Sequence, residues 1–212
     1  MSVFFWFMIS IGYPQPREDA LPVAAISYNF GGQTMEKNHH DTVLQQFNAA
    51  IDCWINWLDN YTFEMLCRQP AEGQWSLGQV YVHIIADTKY FIEQMKVALS
   101  DDQHSGKEMH ADAKAIFARG AFPDIQLNNP FPESVHQPGS KEELARGLLK
   151  IKNETGSLLY LYDFSASRGK SLHPGLQFFT AMEWLQFAGM HMRHHFGQKN
   201  RIDAALTKAG GA

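Results

Sequence analysis

Cysteine is scarce in this chain: Cys53 and Cys67 are the two thiols in 212 residues. That is too few for a disulfide framework, and points to free thiols in a reducing, cytoplasmic compartment. A basic excess is also missing, since 18 Lys and Arg stand against 22 Asp and Glu for a net charge of −4. A nucleic-acid surface would show as clustered positive charge. Short basic stretches such as "KIK" at 150–152 read instead as solvated helix faces. The apolar run in "MSVFFWFMISIG" covers only about nine residues, against the ~20 a helix needs to cross a bilayer. It also lacks the basic flank and small-residue cleavage site of a secretory signal. Neither nucleic acid nor membrane is expected as a partner.

What is present is ordinary for a globular domain: 45% apolar and 19% charged residues, in a chain long enough for one sizeable core. The stretch "YPQPREDALPVAAISYNFGGQT" is rich in Pro and Gly and has no period. Residues 1–34 therefore read as a disordered or mis-assigned N-terminal extension, and the domain as residues 35–212, opening near Met35.

Four segments carry helical periodicity. Over about 38–60, Val43, Phe47, Ile51, Trp54 and Leu58 form one apolar stripe. The second helix spans about 77–99, with Ser76 and Gln79 at capping-box spacing and Val80, His83, Ile84, Phe91 and Met95 near one face. The third, about 141–162, repeats the device with Ser140 and Glu143. The fourth opens near Pro174, a residue favoured in a first turn, and runs to about Leu206. Between the second and third lie some forty residues rich in Pro, Gly and His, with a short helix at about 111–118. No strand is expected. The fold class is all-α: a four-helix bundle with one long crossover connection between helices 2 and 3, long enough for those two to run parallel.

The fourth helix contains "EWLQFAGMHMRHHFGQKNRID", with His191, His194 and His195 among apolar residues. At about 100° per residue, Ala188, His191, His195 and Ile202 all fall within about 40° of Trp184. His191 and His195 thus face inward one turn apart, while His194 falls at the rim. Two imidazoles at i and i+4 grip one metal ion from a single helix. His83, centred on helix 2, supplies a third. Three nitrogens and an open fourth position make a catalytic rather than a structural pattern. The competing reading is three core histidines satisfied by carbonyls or by one another, which would be awkward if any were protonated.

Met192 stands where an H-E-x-x-H peptidase needs its glutamate, which disfavours that chemistry. The Glu-x-x-His pairs of di-iron bundles are missing as well. Asp87, one turn after His83, and Gln198, three after His195, are candidates to orient the ligands or a bound water. Phe117, Phe122 and Phe131 of the crossover are candidates to line a cavity, though such aromatics more often simply pack.

The segments "QWSLGQVYVHI" (74–84), "FARGAFP" (117–123) and "HPGLQFFTAMEWLQFAGMHMRHHFGQKNRI" (173–202) resemble the DinB-like superfamily of metal-binding four-helix bundles. The resemblance covers roughly Met35 to Leu206. It implies a three-histidine site for Zn²⁺ or Ni²⁺ on His83, His191 and His195, and frequent homodimers. Relatives include transferases using low-molecular-weight thiols such as bacillithiol, a maleylpyruvate isomerase and members with no assigned reaction, so the family names a site rather than a reaction. The expectation is a metal-dependent S-transferase joining a thiol cosubstrate to a small electrophile. A metal-dependent hydrolase, with Asp87 as base, is the second reading. A non-catalytic stress-response or partner-binding module, with a structural metal or none, is the third.

Overall fold

The structure, a computed structural model, describes residues 32–123 and 135–210. Among them, six helices and one small sheet follow in the order α1 (Gly32–Leu58), α2 (Phe63–Cys67), α3 (Leu77–Ser100), α4 (Ala111–Arg119), α5 (Lys141–Leu161), β1 (Lys170–His173), β2 (Gln177–Thr180) and α6 (Ala181–Gly210). The chain is mainly helical, as its periodicity requires. Among the described residues no helix is long and apolar enough to cross a membrane. Residues 1–31 and Phe131 lie outside the described residues, so the readings made for them stay as expectations.

The capping signals read from the sequence are made as hydrogen bonds. Ser76 Oγ accepts from the Gln79 amide at 3.2 Å, while Gln79 Oε1 accepts from the Ser76 amide at 2.9 Å. Together they satisfy two of the four amides a helix start leaves open. Ser140 Oγ accepts from the Glu143 amide at 3.1 Å and opens α5. Helix α1 begins at Gly32, ahead of the expected 38. Its added turns precede Val43, where the apolar stripe starts, and so carry no period to read.

The fourth helix departs from expectation. It begins at Ala181, not near Pro174, and residues 170–180 form an antiparallel hairpin that pairs Ser171 with Phe179 and Leu172 with Phe178. Proline's fixed φ suits the second position of a tight turn as well as a first helical turn. Here His173 settles the matter: its Nδ1 accepts from the amides of Gly175 and Leu176 at 3.2 and 3.1 Å, closing the turn. The true helix signal is Thr180 with Glu183. The Thr180 amide donates to Glu183 Oε2 at 2.7 Å, and the Glu183 amide donates to Thr180 Oγ1 at 3.2 Å. The hairpin covers α6. His173 stacks on Trp184 with ring centroids 5.3 Å apart, and the Trp184 indole donates to Ser171 Oγ at 2.7 Å, so a buried N–H finds its acceptor.

Each of the four long helices touches two others, in the cyclic order α1–α6–α3–α5. Along α1 and α6 the contacts rise together: Gly189 approaches Phe47, Trp54 donates to the Met192 carbonyl at 3.2 Å, and Tyr61 donates to Asp203 at 2.9 Å. These two helices run parallel. Helix α3 opposes α6, with Phe91 on Phe187 and Trp184 while His83 meets His191 and His195 further up α6. Helix α5 sets Gly147 against Ile85 and Glu154 against Lys96 of α3. Trp54, Trp184, Tyr81, Phe47, Phe179 and Phe187 are the largest fully buried side chains, and the histidines lie on the same α3–α6 seam.

Candidate metal centre

Trp184, Ala188 and His191 on α6 are all fully buried, and His195 is 6% exposed. The inward stripe read from the sequence is therefore the stripe that packs. On α3, His83 is likewise 6% exposed among Val80, Ile84 and Phe91. The two helices bring the three rings together: centroids lie 5.1 Å apart for His83 and His191, 4.9 Å for His83 and His195, and 4.7 Å for His191 and His195. Each ring offers one nitrogen lying within 4.8 Å of those of the other two. Nε2 of His191 and Nε2 of His195 are 3.0 Å apart.

Burial decides the charge of these rings. Desolvation is the largest influence on all three, and the neighbouring histidines add to it. His83 and His191 are held well below the ordinary imidazole value, and His195 is pushed down to about 3. At neutral pH the cluster consists of neutral imidazoles, the state in which histidine ligates.

Two polar side chains adjoin the cluster. Gln198 Oε1 lies 2.7 Å from Nδ1 of His195. Asp87, 2% exposed, places Oδ2 at 3.8 Å from Nε2 of His83 and 3.9 Å from Nε2 of His191. Its carboxylate therefore faces two of the three rings. His194 is exposed, as its helical phase implied, with its ring edge-on to Phe122 at 5.6 Å and to His195 at 5.2 Å. Phe122 also reaches Phe187 at 5.1 Å, whereas Phe117 packs on Phe179 at 5.2 Å, away from the histidines.

Sequence reasoning did not place Trp75 at the site. Its half-buried ring, just ahead of the Ser76 cap, lies 5.1 Å from that of His83. The signal was the tryptophan immediately before the Ser76 cap. Tyr81 shows the opposite case. Its buried hydroxyl donates to the Trp54 carbonyl at 2.9 Å and is committed to the core.

The sequence matches the family model of the DinB superfamily over residues 46–198, which takes in α3, α5, the C-terminal part of α1 and most of α6. The chain belongs to the DinB superfamily. No curated protein matches its sequence. The matched span includes all three clustered histidines of this DinB-superfamily chain, together with Asp87 and Gln198. The donors present fit the divalent ion that the family implies. They are neutral nitrogens, they come from two rigid helices, and they are shielded from bulk water. Two nitrogens on one tetrahedral zinc ion stand about 3.3 Å apart, given Zn–N distances of ~2.0–2.1 Å. The 3.0 Å separation of His191 and His195 is close to that value.

Proposed function

We propose that this DinB-superfamily protein is a metal-dependent S-transferase that uses His83, His191 and His195 as ligands for one Zn²⁺ or Ni²⁺ ion. It joins a low-molecular-weight thiol to a small electrophile in the cytoplasm. The supporting observation is the convergence of three buried, neutral imidazoles from α3 and α6. The parallel contacts of α3 with α5 support a four-helix bundle in which residues 101–140 are the long crossover. A divalent ion held there supplies Lewis acidity, which lowers the pKa of a coordinated thiol or water.

The chain's own residues do the rest. The apolar shell of Phe91, Trp184 and Phe187 excludes water behind the cluster and keeps its dielectric low. Asp87 stands where it can receive the proton that an incoming thiol gives up. Trp75, Phe122 and the exposed His194 flank the side where cosubstrates would enter. The same position of Asp87 favours a second reading, metal-assisted hydrolysis, in which the carboxylate orients a water instead.

The deciding experiment pairs metal quantitation with a screen of bacillithiol, glutathione and cysteine against monochlorobimane. Transfer that disappears on chelation and returns with Zn²⁺ or Ni²⁺ supports the S-transferase. Ester or amide hydrolysis with no thiol transfer favours the second reading. A fold that melts when the ion is removed identifies a structural metal and overturns both.

A further inference from the structure

The 2.7 Å contact between Gln198 Oε1 and Nδ1 of His195 has a directional consequence. A carbonyl oxygen only accepts, so the imidazole nitrogen facing it must carry the hydrogen. A neutral imidazole has one ring hydrogen. With it on Nδ1, the lone pair lies on Nε2, the nitrogen that points at His191. We propose that Gln198 is a positioning residue that fixes the tautomer of His195 and thereby selects Nε2 as its ligating atom.

The proposal also sets the state of His191. Its Nε2 lies 3.0 Å from a nitrogen that can only accept. In protein stripped of metal, the bridging hydrogen therefore belongs to His191, on Nε2. The two rings of α6 are then opposite tautomers, although they sit one turn apart in similar burial. Coordination through Nε2 of both requires the His191 hydrogen to move to Nδ1, whereas His195 is already set. Gln198 thus makes one arm of the site ready in advance, which is how outer partners raise metal affinity. Helix geometry permits it: a residue three positions on lies over the same face, within reach of a long amide.

This inference rests on the metal-site reading for its purpose but not for its test. Long-range ¹H–¹⁵N spectra of chelator-stripped full-length protein, with rings assigned from His195→Gln and His191→Gln variants, report each tautomer directly. The expected result is Nδ1–H for His195 and Nε2–H for His191. An Nε2–H tautomer at His195, or a rapid mixture, overturns the proposal without any reference to metal. Competition with a chromophoric chelator supplies a second readout. Gln198→Ala should weaken Zn²⁺ binding by about 10- to 100-fold. Gln198→Glu, which keeps an acceptor, should restore it, and Gln198→Lys, which can only donate, should weaken it further than alanine does. Equal affinity across the three variants would overturn the proposal. Correct tautomers in a protein that takes up no metal would instead leave the positioning role standing and sink the proposed function.

Discussion

Nε2 of His191 and Nε2 of His195 face each other at 3.0 Å inside a seam where neither ring holds a proton charge at neutral pH. Without metal a hydrogen on His191 bridges that gap, and a divalent ion that displaces it gains the lone pairs of both rings. Purified protein should therefore carry about one divalent ion per chain by elemental analysis. His191→Ala should remove most of it, because the remaining pair comes from different helices. Occupancy that survives this substitution takes His191 out of the site.

His194 provides the control. It neighbours His195 in sequence, but its ring is exposed and rests on Phe122. His194→Ala should leave metal content unchanged. Loss of the ion from this variant would show that the inward face of α6 is not the one carrying His191 and His195.

Acid should destabilise the fold through His173, which lies outside the cluster. Burial lowers this ring from 6.5 to about 4. Below the ordinary value the unfolded chain takes up a proton that the folded chain refuses. Stability is thus complete above about pH 6.5 and is lost as the pH falls toward 4. Between pH 7 and pH 5 the loss from this group is about 2 kcal/mol. His173→Asn keeps an acceptor for Gly175 and Leu176 but does not titrate. Urea midpoints at the two pH values should separate by less in the variant than in the parent. Equal separations would mean that the His173 charge is tolerated in the fold.

Gly169 has the closest backbone neighbours of the described glycines, at the C-terminal end of α3. A methyl there would lie 1.9 Å from the Asp101 carbonyl oxygen and 2.3 Å from that of Ala98. Backbone cannot yield as a flexible side chain can, so Gly169→Ala should cost about 3 kcal/mol or more. In a protein of this size that lowers Tm by about 10 °C. A melting curve that matches the parent's would show that the hairpin can lift away from the end of α3.

The apolar stripe of α1 that packs into the core runs from Val43 to Leu58. A chain starting at Met35 should accordingly melt with the midpoint and cooperativity of the full chain by calorimetry. A large fall in midpoint would show that residues 1–34 contribute to the core.

Much of this was legible in the sequence. The stripe of Val43, Phe47, Ile51, Trp54 and Leu58 repeats at the helical period and is buried along its whole length. Ser76 with Gln79, and Ser140 with Glu143, fixed two helix starts, because a cap is a local bond between residues three apart. The inward phase of His191 and His195 followed from the same arithmetic. The hairpin at 170–180 escaped. Its strands are four residues long, and its turn is closed by a histidine side chain, a bond that residue preferences do not advertise. Thr180 and Glu183 held the cue to the start of α6.

What the sequence determined by itself is therefore local: helical period, caps and the shared face of two histidines one turn apart. All of these depend on geometry repeated every few residues. The tertiary structure alone decided which partners those faces meet. His83 is 108 residues before His191, and no local rule measures that distance. Only the antiparallel packing of α3 on α6 brings the third imidazole, the Asp87 carboxylate and the Trp75 ring to the same place. That packing is set by how the large buried side chains of the seam fill space together.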